Sequence, residues 1–106
     1  MADFPQLENL ISTHKETWKA LEAACDVTDA AEPDSPEQEA AEEAQGRASD
    51  DTYNALWGII EHPYASLDEL KRGLAYLAEH HRTTGDGDPG QWLKGLAENL
   101  VGGVNG

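Results

Sequence analysis

Apolar residues recur near the start of the chain at Leu7, Ile11, Trp18, Leu21 and Cys25, with His14 in the same register. Their spacings alternate between four and three, the period of one buried helical face. Asp3 and Gln6 have capping-box spacing and Pro5 falls in the first turn, so a first helix is predicted from about Phe4 to about Asp29. Ser35-Pro36-Glu37-Gln38 repeats these start signals for a second helix. Pro63 stops that helix, because the residue before a proline is pushed out of helical geometry. The second helix would be roughly 40 Å long at 1.5 Å per residue. Its first half carries a narrow face of Ala41, Ala44 and Ala48, opposite Glu39, Glu42, Glu43 and Asp50. Its second half is apolar nearly all round, through Tyr53, Ala55, Leu56, Trp57, Ile59 and Ile60, which predicts neighbours on several sides.

Ser66-Leu67-Asp68-Glu69 is a further capping box, with Leu67, Leu70, Leu74 and Leu77 at helical spacing and an end near His80. "TTGDGDPG" reads as a loop. Asp88-Pro89 then starts a last helix whose apolar face is Trp92, Leu93, Leu96 and Leu100. No strand alternation and no internal repeat interrupts this series. The sequence therefore predicts an all-α fold, a small four-helix bundle: a long helical hairpin plus two shorter C-terminal helices packed over its closed end. The expected domain covers residues 1–101, with 102–106 a frayed tail.

Charge changes this picture more than composition does. Hydrophobic content is 39%, slightly low for a globular chain, but three Trp and the regular Leu spacing argue against disorder. Twenty-one acids against seven bases leave a formal net charge of -14. Direct nucleic-acid binding is disfavoured, since neutralising phosphates needs clustered Lys and Arg. Anionic membranes are disfavoured for the same reason, and a basic protein partner is favoured. Cys25 is the only cysteine, so no intrachain disulfide forms, which fits a reducing compartment. The first residues lack the basic and then apolar runs of a signal peptide, so a cytoplasmic protein is expected.

The segments "HKETWKALEAACD" and "HPYASLDELKRGLAYLAEHH" resemble a group of small all-helical alphaproteobacterial proteins. Those carry a similar His-basic-Ala-rich first helix, and a capped Leu-rich helix ending in Tyr-Leu. The chain has His62-Pro63-Tyr64-Ala65-Ser66-Leu67 where they tend to have Thr-Pro-Thr-Thr-Leu. The resemblance implies a helix count and a bacterial setting, and it brings no activity with it.

No residue cluster demands a particular chemistry. His14 lies on the apolar stripe, where a core or boundary histidine is expected. His62, His80 and His81 fall near helix ends, where cations favour the dipole. Glu79, His80 and His81 are neighbours that diverge by about 100° on a helix, so no metal site and no cofactor is expected. Asp86 and Asp88 echo a calcium loop, but Ala97 stands where its closing glutamate belongs, and Asp88 serves as a helix cap. Cys25 reads as a buried structural thiol, and no catalytic residue is assigned.

Two surfaces remain as candidates. Residues 26–51 carry ten acids against Arg47 alone, a net -9 of the total -14. Along a helix that is one charge per roughly 4 Å, near a single DNA strand and short of the duplex. Glu32, Asp34, Glu37, Glu39, Glu42, Glu43, Asp50 and Asp51 are its candidate partner-binding residues, and a plain solubility face is the alternative. The second surface is an aromatic-rich patch of Tyr53, Trp57, Ile60 and Tyr64, which is either core or an interface. The leading expectation is a non-enzymatic acidic helical module that binds a basic or nucleic-acid-binding protein. Anti-CRISPR and anti-restriction inhibitors share its charge and size. A helical adaptor or homodimeric structural protein using the aromatic patch is the alternative, and a small enzyme is the third. Monomer and homodimer both fit.

Overall fold

The computed structural model describes residues 4–99. They form four helices, α1 (Pro5–Ala30), α2 (Pro36–Ile60), α3 (Leu67–Thr84) and α4 (Pro89–Glu98), and no strand occurs among the described residues. The chain is thus an all-α bundle. The cap at Asp3, the contribution of Leu100 and the tail lie outside the described residues.

The start signals work, with one variation. Ser35 Oγ accepts from the Gln38 N–H at 3.1 Å, but the Gln38 side-chain oxygen reaches back past Ser35 to the Asp34 N–H at 2.7 Å. Ser66 Oγ likewise accepts from the Glu69 N–H at 3.1 Å, and Glu69 Oε1 reaches back to the Ala65 N–H at 2.8 Å. Both boxes therefore close one residue earlier than the usual reciprocal pattern. At the first of them Asp34 adopts φ 60°, the left-handed region that Asp tolerates better than most side chains. Asp88 caps α4 by accepting from the N–H groups of Gly90 at 3.0 Å and Gln91 at 3.4 Å.

The ends depart from expectation. α2 stops at Ile60 rather than at Pro63: Glu61 N–H still makes an α-type bond to Trp57 O at 2.8 Å, but the chain then tightens, and His62 N–H donates to Ile59 O at 3.4 Å. α3 continues a turn beyond His80 to Thr84, where Gly85 at φ 74° closes it and donates its N–H to His81 O at 2.7 Å. Replacing Gly85 by Ala puts a Cβ into that left-handed cap and should cost about 1 kcal/mol. A urea titration with an unchanged slope and a lowered midpoint is the expected readout.

The contacts divide the chain into two compact units. One takes in the chain up to Ile11 and from Trp57 onward. Its core is Leu7, Ile11, Ile59, Ile60, Tyr64, Leu77, Trp92 and Leu96. Arg72 grips Glu8 with two hydrogen bonds of 2.6 and 2.8 Å and so ties α3 to the start of α1. Tyr64 N–H donates to Asn99 O at 3.0 Å and joins the 61–66 connector to the end of α4. Gly95 lets α4 lie against Ile60. The two short helices therefore share a unit with the first turns of α1 and the last turn of α2, and not with the turn that joins α1 to α2. A connector of only six residues after α2 leaves α3 no other place to start.

The buried face of α3 also differs from the leucine stripe. Glu69, Gly73, Leu77 and His80 point inward, while Leu67 is exposed and Leu74 is half-buried. On α4, Trp92 and Leu96 are buried and Leu93 is exposed.

The other unit, Ser12–Leu56, holds the rest of α1, the turn and most of α2. His14, Ala41, Thr52 and Leu56 are buried in it, and Trp18, Leu21 and Cys25 are half-buried, so the thiol is less enclosed than its stripe suggested. Ala48 is half-buried, but Ala44 is exposed, which narrows the small-residue face to Ala41 and Ala48. Thr52 Oγ1 lies 2.7 Å from Ala48 O on its own helix and 3.0 Å from Thr17 O on α1.

Candidate functional site

α2 positions the acids because its inner face is fixed by small residues. Ala41, Ala48 and Thr52 turn inward, so Glu39, Glu43 and Asp50 stand on the opposite side of the same helix. Glu32, Asp34, Glu37, Glu39, Glu42, Glu43, Asp50 and Asp51 are all exposed. None of these eight carboxylates forms an ion pair with another described residue. The two at the start of α2, Glu37 and Glu39, face its positive dipole end and gain from it.

Four acids of the other unit are paired. Glu8 pairs with Arg72, Glu79 with Arg82, Glu69 with His62 and Asp86 with His80. The Glu69 pair is the most enclosed: His62 Nε2 lies 3.0 Å from Glu69 Oε2, with side chains 6% and 10% exposed. Burial by itself pushes the Glu69 carboxyl up. The Ala65 N–H and the hydrogen bond and charge of His62 together outweigh it and hold the carboxyl below the usual range. Tyr64 lies edge-on to His62, ring centroids 4.9 Å apart, and donates its hydroxyl to Ile59 O at 2.7 Å. Burial, and then the charge of Glu69, push that hydroxyl far above the ordinary tyrosine range.

A second histidine cluster closes the α3–α4 loop. His80 Nε2 lies 3.0 Å from Asp86 Oδ2, and His81 Nδ1 lies 2.9 Å from Asp86 O. Trp92 sits against both rings at 6.3 Å, and Tyr76 stacks on His80 at 6.4 Å. Burial pushes the Tyr76 hydroxyl up to about 12, with the Arg72 charge opposing. Asp86 thus holds the loop and Asp88 the helix start. No group of three or more His, Cys, Asp or Glu side chains suited to a metal ion occurs among the described residues.

The aromatic patch does not exist as one surface. Ile60 and Tyr64 are fully buried, because the 61–66 connector turns Tyr64 inward toward Ile59, and both belong to the core. Trp57 is half-buried, and Tyr53 is exposed. Sequence reasoning takes His62, His80 and Glu69 for helix-end and cap residues. The one signal for the Glu69 pair is two complementary groups on either side of a Pro-containing corner.

No helix among the described residues is long and apolar enough to cross a membrane. The fold thus defines a small acidic helical bundle. Set against known protein families, curated proteins and solved structures, the chain matches none of them.

Proposed function

We propose that this protein is a non-enzymatic binding module, cytoplasmic and bacterial, that presents its acidic hairpin to a basic protein. The observation that carries this reading is the contrast in how acids are used. Four carboxylates of one unit are paired, with Arg72, Arg82, His62 and His80, whereas none of the eight exposed acids of the hairpin forms an ion pair with a described residue, at a cost in mutual repulsion. An inhibitor that covers the basic surface of a nucleic-acid-binding protein is the form that best fits this charge and size. The adaptor reading, which needs a continuous aromatic surface, is weakened by the burial of Ile60 and Tyr64.

Replacing Glu39, Glu42 and Glu43 by Gln and Asp50 by Asn tests the proposal. These side chains are exposed, so the variant should melt at or slightly above the parent temperature in low salt. Affinity capture from the source cell at low and high salt should recover a basic protein with the parent chain, release it at high salt, and lose it with the variant. The same protein held by both chains at both salt levels would overturn the proposal.

A further inference from the structure

We propose that the groove beside Gly46 receives an arginine side chain of the basic partner. This rests on the acidic-hairpin reading and adds its point of specificity. The groove is lined by Thr28 of α1 and by Glu42, Gln45, Gly46 and Ser49 of α2.

Gly46 is the first clue. It sits inside a 25-residue helix, where glycine costs about 1 kcal/mol relative to alanine. Nothing in the fold asks for it. Gly46 is absent from the positive-φ residues, and a Cβ added there meets nothing within 4 Å. At Gly58, Gly73 and Gly95, by contrast, an added Cβ meets a neighbouring side chain. With no side chain at 46, the helix surface between Glu42 and Ser49 stays open to solvent.

The groove walls are the second clue. Thr28 spends its hydroxyl on Ala24 O at 3.0 Å. Glu42, Gln45 and Ser49 hold no side-chain hydrogen bond to another described residue. A carboxylate, a carboxamide oxygen and a hydroxyl are therefore free to act as acceptors along the groove, with a single negative charge among them. That set suits a guanidinium, which is planar, weakly hydrated and carries five donors in a fixed fork. An ammonium is compact, strongly hydrated and gains less from spread acceptors. An anion would be repelled by Glu42 and the flanking Glu39, Glu43 and Asp50, and one carboxylate falls short of a calcium shell. A second groove, at the start of α2, is lined by Asp34, Ser35, Pro36, Gln38, Glu39 and Glu42. There Ser35 and Gln38 are committed to capping the helix, so its remaining polar walls are the carboxylates of Asp34, Glu39 and Glu42, which draw any cation by charge and bring no neutral acceptors to the fork of a guanidinium.

The test titrates the isotope-labelled full chain, at low salt, with two capped peptides of equal length and charge, one bearing arginines and the other lysines. The arginine peptide should bind about tenfold more tightly. Its amide shift changes should centre on Thr28, Gln45, Gly46 and Ser49. Gly46→Leu fills the groove, keeps the net charge of -14 and raises helix propensity, so the variant should fold at least as well. It should bind the arginine peptide only as well as the lysine peptide. Equal binding of both peptides by the parent, with no change in Gly46→Leu, would overturn the groove and leave the acidic surface standing. Failure of both peptides to bind at low salt would remove the acidic-hairpin reading as well.

Discussion

Glu69→Ala should lower stability by at least about 2 kcal/mol, because two buried donors lose their acceptor at about 1–3 kcal/mol each. The carboxylate accepts from the Ala65 N–H at 2.8 Å and from His62 Nε2 at 3.0 Å, and its loss leaves both donors enclosed without an acceptor. At about 4–8 °C per kcal/mol for a chain of this size, the melting temperature should fall by at least ~8 °C. Glu69→Gln should lose less, because its amide oxygen can still take the Ala65 N–H. Acid should reproduce the effect. The Glu69 carboxyl titrates lower in the folded chain than in the unfolded one. Its contribution is therefore fully present above the ordinary glutamate value of about 4.3 and disappears as pH falls through the lower folded value. Thermal melts between neutral pH and pH about 3 should show a decline that is shallower in Glu69→Gln. Parallel declines in both chains would assign the acid sensitivity to other carboxylates.

Gly73→Ala should be almost as damaging, for a steric reason. An added Cβ at 73 would collide with the Tyr64 hydroxyl and stand 3.0 Å from its Cε1 and Cζ atoms. Tyr64 is fully buried and cannot step aside without giving up its hydrogen bond to Ile59 O. Overpacking of this kind costs about 1–3 kcal/mol, and a lost buried hydrogen bond adds about 1 kcal/mol. Tyr64→Phe removes the atom in closest collision. The double variant Gly73→Ala/Tyr64→Phe should therefore be more stable than the two single losses add up to. Strict additivity in urea titrations would show that ring and helix do not meet as described.

The contrast between these two sites and the helix ends shows where the sequence is readable. Ser35, Ser66 and Asp88 announce their helices because a cap is built from neighbours in the chain. The inward face of α3 is not readable from Leu67, Leu70, Leu74 and Leu77, because periodicity equates buried with apolar. Here the inward positions include Glu69 and His80, which are buried because each meets a complementary partner, and Gly73, which is there because a tyrosine ring lies over it. The acids of the hairpin are readable as exposed, since the alanine face fixes which side turns out. The groove at Gly46 is not, because it needs Thr28 from the other helix to close it.

The inner face of the hairpin also governs its register. Ala41 and Ala48 are seven residues apart, and a smooth face of methyl groups would look nearly the same after α2 slid two turns along α1. Sequence alone leaves such a seam degenerate. The Thr52 hydroxyl works against that degeneracy, because besides lying 2.7 Å from Ala48 O it lies 3.0 Å from the Thr17 carbonyl, a contact that a slide of two turns would lose. A hydroxyl that faces carbonyls of both helices, together with the buried His14 and Leu56, thereby marks where each acid of the outer face stands along the hairpin.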